Sequence, residues 1–544
     1  MLKKNDVLIV KVEDVTASGD GVAKHEDYPI FISGGVTGDE LSIKITKTNK
    51  TYGFGRIVEI IEPSPYRQNP PCPVFEACGG CDFMHIEYAH QLCIKENIIK
   101  GNLQRIGSVH PNEYEFEGVI GADETLGYRN KAQLPVGKKG KETVVGFYSR
   151  KSHEIVASQS CMIQDKKINT LTKLFLDYAN RYKLSVYDEK SHKGVLRHLY
   201  IRTGNKTGEV LVTVVTNSSS PLPNENEFVQ ILQKESGIKG IIQNINTEKT
   251  NLILGKKNRV IYGEDKICSM IGNLKFNISS ESFFQINGAQ TEKLYAKAME
   301  YACPENDETV FDLYCGTGSI SLFLAQRAQR VIGVEIVEKA IENAKENAKM
   351  NNMENTLFYA GDCAKVVEEL VQNGETADII VVDPPRKGCS EDMLKFIGSI
   401  SPKKLVYVSC NSATLARDVK ILKDYGYTLK KVCGVDMFPN SGHVETVVLL
   451  TKLKDSKSIT IELDLDELEV SAPKIKATYS QIKEYVLNKY GFKVSSLNIA
   501  QVKQECGITE RENYNKPSED YKQPNCPKHK ADAIKEAFEH FRMI

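Results

Sequence analysis

Four segments of this 544-residue chain place reactive or ligand-binding side chains at the ends of apolar runs. KLVYVSCNSATL ends a strand-like run on Cys410 and opens a helix whose start is marked by Ser412 and Thr414. A thiol there lies near unsatisfied backbone N–H groups and the positive end of a helix dipole, and both lower thiol pKa. DIIVVDPPRKG puts Asp383 before two prolines that cannot continue a strand, so the carboxylate is presented over the sheet edge where ligands collect. HVETVVLL sets Glu445 among valines, where burial raises a carboxyl's pKa and suits it to a general base. FDLYCGTGSISLFLA reads as strand, glycine turn and helix, with Gly316 and Gly318 letting a ligand approach the backbone. Ser321 replaces the third glycine of the dinucleotide fingerprint, and Asp312 suits the amino group of a methionine-type ligand better than a pyrophosphate. Glu335 ends the next strand, RVIGVE, and can accept from two ribose hydroxyls.

Together these parts fit one reaction. Uracil carbon-5 is a poor nucleophile, but attack of a thiolate on carbon-6 turns the ring into an enolate that can take a methyl group from a sulfonium donor. A base then removes the carbon-5 proton and elimination frees the thiol. Cys410 and Glu445 have the chemistry for these two roles. Adenine amino-methylating enzymes usually place an aromatic after the prolines, where this chain has Arg386. The base must be unstacked to react, which calls for flipping or a single-stranded loop.

The positioning elements follow from the pattern. Short alternating strands (DVLIVKVEDV, YPIFISG, DELSIKITKT, FGRIVEII) divided by glycine turns predict a small oligonucleotide-binding-type barrel over residues 1–61. Residues 62–273 begin with prolines and a cysteine group, continue in a helix from about Ile86 to Ile106, and become strand-rich. Residues 274–453 alternate strands and helices, the signature of a doubly wound α/β sheet. An extension, 454–544, carries an alternating strand, SITIELDLDELEV, and two helices ending at Gly491 and Gly507, a short α-rich module similar to a helix-turn-helix. The predicted class is therefore multidomain α/β.

CPVFEACGGC places Cys72, Cys78 and Cys81 with five and two residues between them, a set able to hold zinc or part of an iron–sulfur cluster once a fourth ligand is supplied. Fourteen cysteines in a long chain without a secretory signal read as reduced thiols, and no apolar run is long enough to span a membrane, so the expected location is the cytoplasm. Formal net charge is zero, yet residues 126–206 hold 17 basic against 6 acidic residues. That local excess predicts phosphate contact by Arg129, Lys131, Arg197 and Arg202.

Residues 1–452 resemble the bacterial RNA uracil-5-methyltransferase family that modifies 23S ribosomal RNA, through DPPRKG, VYVSCNSAT and VDMFPNSGHVE. The resemblance implies Cys410 as nucleophile, Glu445 as base, and Gln285, Tyr314, Glu335 and Asp383 as the S-adenosyl-L-methionine site, with Asp362 of AGD a weaker candidate for the adenine. It also implies that the barrel is a TRAM RNA-binding domain and that Cys161 completes a [4Fe-4S] cluster with Cys72, Cys78 and Cys81. Asn440 departs from the glutamine, histidine or tyrosine more usual there and puts substrate positioning in question. The expected partner is RNA, 23S ribosomal before transfer RNA, with no membrane or obligate protein partner. The alternatives are a T-loop transfer-RNA enzyme and a non-catalytic RNA-binding or chaperone protein.

Overall fold

The computed structural model describes residues 2–150, 152–158, 160–452, 477–506, 526–541 and 543. They divide into two compact units, Met1–Asp455 and Ser456–Ile544.

The first unit opens with a closed barrel of five strands, Val7–Val15, Asp20–His25, Tyr28–Ser33, Glu40–Thr48 and Gly53–Glu62. Inward residues Val10, Val12, Ala23, Ile30, Ile32, Leu41, Ile43 and Ile45 fill it, following the two-residue period of a strand. The sequence pattern missed the second strand, DGVAKH, because its Asp-Gly start reads as a turn.

Helix Tyr88–Arg105 follows the cysteine segment. The central sheet then runs in the order Lys257–Gly263, Ile238–Ile245, Val210–Thr216, Leu196–Thr203, Lys131–Lys139, Glu142–Tyr148 and Ile155–Ala157. Helices Lys166–Arg181 and Glu225–Leu232 pack on it around Leu171, Phe175, Tyr178 and Phe228.

The eight-stranded sheet that carries most of the site has the order Thr356–Ala360, Arg330–Glu335, Thr309–Leu313, Ile379–Val382, Lys404–Ser409, Glu445–Lys452, Tyr427–Val435 and Glu115–Ile120. The first five strands are parallel, and Glu445–Lys452 inserts antiparallel between Lys404–Ser409 and Tyr427–Val435. Because Glu445 pairs with Val435 at the start of its strand, the antiparallel insertion carries it to the same sheet edge as the carboxyl ends of the parallel strands. Strand Glu115–Ile120, the first of the strand-rich segment, joins the edge of this sheet instead of the central one.

In the second unit, helices Tyr479–Tyr490, Ser496–Glu505 and Lys528–His540 bury Ile482, Val486, Ile499, Val502, Ile534 and Phe538 against one another. Thr478 with Gln481 and Ser495 with Asn498 form capping boxes that start the first two helices. Gly491 ends the first in the left-handed conformation. The third helix was not expected, and the expected strand SITIELDLDELEV and the stop at Gly507 lie outside the described residues. No helix among the described residues is long and apolar enough to cross a membrane.

Candidate active site

One cavity of about 950 Å³ opens at the carboxyl edge of the eight-stranded sheet, and Gln285, Tyr314, Glu335, Asp362, Asp383, Cys410 and Glu445 all line it. The seven span 160 positions; Tyr314, Glu335, Asp362, Asp383 and Cys410 meet because the parallel strands end on one edge, Glu445 reaches it from the antiparallel strand, and Gln285 from the segment before helix Gly288–Ala302.

The nucleoside side of the cavity starts at the glycine turn. A Cβ on Gly318, at φ 78°, would lie 3.0 Å from Ala344 and 3.1 Å from the Phe358 ring, so only glycine fits. A Cβ on Gly316 would meet nothing within 4 Å, which leaves its backbone open to a ligand. The Gly316 N–H donates to Glu335 Oε2 at 3.2 Å, and Val337 N–H donates to Oε1 at 3.0 Å. Each oxygen keeps a lone pair for a further donor. Tyr314 sits at φ 66°, a strained conformation for an aromatic residue of the kind found at ligand sites. Asp362 caps the helix Cys363–Gln372 by accepting from the Lys365 N–H at 3.3 Å. Ser321 explains the missing third glycine: its hydroxyl donates to Asp312 at 2.5 Å. Asp312 Oδ1, buried on the strand behind Tyr314, has no partner among the described residues, and burial pushes this carboxyl up to about 7.

The reactive side is acidic. Burial raises the Glu445 carboxyl to about 8, the neighbouring Asp383 charge adds to the rise, and Arg386 opposes it. Asp383, whose open face is the cavity, is raised to about 7 by burial. Cys410 corrects a sequence expectation. Its thiol is held above the ordinary value by burial and then by Glu445 and Asp383, with Arg386 in opposition. Asn411, and not Cys410, is the helix cap and accepts the Ala413 N–H at 3.1 Å. The cavity thus holds more carboxylates than cations, an electrostatic match for a positively charged ligand.

The loop between Val435 and Glu445 is clamped from outside the sheet. Lys95, on the Tyr88–Arg105 helix, pairs with Asp436 at 2.5 Å, both side chains being 0 % exposed. Tyr88 donates to the second Asp436 oxygen at 2.9 Å. Gln91 accepts the Asn440 N–H at 2.9 Å, and Asp82 and Phe83 N–H groups donate to the Asn440 carbonyl at 2.9 and 3.0 Å. Asn440 occupies a left-handed position, φ 67°, and donates to the Thr125 carbonyl at 2.9 Å. Its role is to fix the loop, so the departure at this position is accommodated by local structure. His443, on the same loop, is 3.5 Å from Arg386 and is held below its ordinary pKa by burial and by Arg386, Lys95 and Arg129.

Phe283 and Asn343 are among the lining residues that sequence reasoning missed. Phe283 is 69 % exposed at the cavity and looks like an ordinary core aromatic in SFFQIN. Asn343, with a buried oxygen lacking a partner, reads as one polar residue on an amphipathic helix.

The basic set divides. Arg197, 6 % exposed, donates to the carbonyls of Asn246, Glu248 and Thr250 and lies 4.4 Å over the Tyr187 ring. Arg202, 2 % exposed, donates to the Tyr200 hydroxyl and the Ser282 carbonyl. Both are internal braces, which corrects the expectation of phosphate contact. Lys131, paired in register with Arg202, is pushed down to about 8 by burial and by the Arg202 and Arg129 charges.

Cys72, Cys78, Cys81 and Cys161 are partly buried free thiols. Burial first, and then the charges of Cys161, Cys78 and Cys72, push Cys81 up to about 12. The four therefore converge within electrostatic reach, although among the described residues no three His, Cys, Asp or Glu side chains are close enough to hold a metal ion.

Comparison with known proteins agrees with this architecture. Residues 87–453 match the tRNA (uracil-5-)-methyltransferase family and residues 2–58 the TRAM domain. An uncharacterized RNA methyltransferase of Clostridium tetani is 45 % identical over 457 residues, 84 % of this chain and 98 % of that protein. One from Bacillus cereus is 44 % identical over 454 residues, 83 % and 98 % of the two chains. The crystal structure of Pyrococcus abyssi tRNA (uracil-54, C5)-methyltransferase with S-adenosyl-L-homocysteine superposes with a TM-score of 0.66 at 26 % identity, covering 82 % of this chain and all of that one. This chain belongs to the tRNA (uracil-5-)-methyltransferase family, with an N-terminal TRAM domain, and is an S-adenosylmethionine-dependent RNA methyltransferase.

Proposed function

We propose that the chain methylates carbon-5 of a uridine in 23S ribosomal RNA, with Cys410 adding to carbon-6 and Glu445 removing the carbon-5 proton. The observation that carries this reading is the shared cavity, which the Cys410 thiol and the Glu445 carboxyl line together beside a nucleoside-type site, the Glu445 charge helping to raise the thiol. Gln285, Tyr314, Glu335 and Asp383 hold the donor, and Asp362 borders its adenine. The donor's sulfonium complements the acidic cavity and draws the raised carboxyls toward their ionised forms. Phe283 offers an exposed ring to an extruded base. A purely RNA-binding role is disfavoured, because buried carboxyls of raised pKa destabilise a fold that does not use them.

Cys72, Cys78, Cys81 and Cys161 would hold the [4Fe-4S] cluster, whose contribution is a covalent tie between the cysteine segment and the chain leading into helix Lys166–Arg181. Asp82, beside Cys81, bonds the Asn440 loop, so this tie would steady the catalytic edge. The setting is cytoplasmic, consistent with fourteen free thiols.

Transfer RNA is the second reading, favoured by the likeness to the Pyrococcus abyssi tRNA (uracil-54, C5)-methyltransferase, which covers 82 % of this chain. Nucleoside mass spectrometry of both RNAs from a strain lacking the gene tests the assignment. Loss of 5-methyluridine from 23S RNA is expected. Loss only from transfer RNA would replace the substrate, and no loss from either would reject the activity.

A further inference from the structure

The three-helix unit is additional to what the relatives share. The family match ends at residue 453, and the Clostridium tetani protein, matched over 98 % of its own length, accounts for 84 % of this chain. The methylation cavity uses no residue of the unit.

One corner of the unit gathers rings and cations. Helix Tyr479–Tyr490 stops at Gly491, and Phe492 then sets its ring 5.9 Å from Tyr490 and 5.4 Å, edge-on, from His529 in the first turn of helix Lys528–His540. Tyr490 is 38 % exposed, His529 is exposed and Phe492 is half-buried against the core. The Tyr490 hydroxyl donates to Glu536, which fixes that ring in advance. Lys493 follows Phe492, Lys528 and Lys530 flank His529, and the Lys530 ammonium donates to the Lys493 carbonyl at 3.0 Å.

These three cations are not neutralised. The ion pairs of the unit's described residues are Lys489–Glu536 and Lys535–Glu505, and neither involves Lys493, Lys528 or Lys530. Asp532, one turn along the helix, is the acidic residue nearest to Lys530 in sequence. The first turn of helix Lys528–His540 has no acidic residue, and its N-cap, Pro527, supplies no side-chain acceptor. Cations there lie at the positive end of the helix dipole, so the arrangement costs stability unless an anion lies across it.

We propose that Tyr490, Phe492 and His529, with Lys493, Lys528 and Lys530, hold a single-stranded stretch of the substrate RNA, bases stacking on the rings and phosphates seated on the ammonium groups. This rests on the chain acting on RNA. An exposed ring takes an unstacked base, which favours a single strand over a duplex, and every base has a face to stack, so the contact tolerates any sequence. The unit thus gives this chain a hold on RNA that its matched relatives do not share.

The test uses the full chain and a single-stranded RNA of about 20 uridines, long enough for a stacking site. RNA should slow backbone hydrogen exchange in residues 487–493 and 527–531. Lys493→Gln with Lys528→Gln and Lys530→Gln should abolish that protection and lower the salt slope of binding by about 2, at roughly 0.7 per phosphate. The triple variant should melt no lower than the unmutated chain, because it removes repulsion. Tyr490→Ala should weaken binding roughly 5- to 100-fold, while Tyr490→Phe keeps it. Exchange that RNA leaves unchanged in both segments overturns the proposal, as does an unaltered salt slope in the triple variant. A triple variant that melts lower would make the lysines structural, and protection by duplex DNA but not by the RNA would give the corner another ligand; either result overturns it too. Failure of the unmutated chain to form an adduct with 5-fluorouridine RNA would instead reject the proposed reaction, while the exchange measurement still decides the corner.

Discussion

Glu445 should destabilise the ligand-free protein in proportion to pH, and Glu445→Gln should remove that penalty. An unfolded glutamate ionises near 4.5, whereas the folded one ionises near 8. The folded state therefore holds its proton more tightly, so its stability contribution is complete below about 4.5 and is lost as pH rises through the interval to about 8. At 1.36 kcal/mol per unit, the difference between pH 5 and pH 8.5 comes to about 4 kcal/mol. The side chain is buried, so solvent screening does little to reduce the effect. Glutamine keeps the shape and removes the ionisation. Thermal unfolding of both proteins without donor, from pH 5 to pH 8.5, should show nearly equal midpoints at the acid end and a clear advantage for Glu445→Gln at the alkaline end. An advantage that does not grow with pH would refute the raised carboxyl and, with it, the reason Glu445 is poised as a base near neutrality.

Asp383→Asn should lower donor affinity in calorimetry while raising the stability of the ligand-free protein, because Asp383 is also raised by burial; a loss of both would make it a structural residue. Lys95→Met leaves Asp436 buried without its cation and should cost about 3–5 kcal/mol, while Lys95→Met with Asp436→Leu should recover part of that in chemical denaturation. Arg197→Gln should reduce stability without altering the salt dependence of RNA binding, whereas Lys131→Gln should lower the slope by roughly one phosphate contact. Anaerobically purified protein should contain about four iron and four sulfide per chain, and Cys161→Ser should lower both without weakening donor binding; colourless protein with zinc would exclude the cluster.

The sequence was most legible where chemistry and strand ends coincide. Asp383 and Glu335 follow short apolar runs, and such runs can be placed on one sheet edge without knowing their neighbours. What depends on distant partners was hidden. The Cys410 environment is set by Asp383 and Glu445 from two other elements, so local reasoning about the helix start gave the wrong direction. The Lys95–Asp436 clamp joins residues 341 positions apart, and nothing in either segment signals it. Arg197 and Arg202 counted as surface charge until folding placed backbone carbonyls around them. Phe283 shows the opposite failure, an aromatic in an apolar-looking segment that folding leaves at the cavity.

The covalent adduct tests the central claim most directly. RNA bearing 5-fluorouridine at the target should trap the unmutated protein with donor as a species stable to denaturing electrophoresis, since fluorine cannot leave as a cation. On ordinary RNA, Glu445→Gln should transfer one methyl and then accumulate the same kind of adduct, its release slowed roughly 100- to 10,000-fold, while Cys410→Ala should form none. Mass spectrometry of the trapped peptide should place the RNA on Cys410. An adduct that still forms in Cys410→Ala, or one mapped to another residue, would contradict the account.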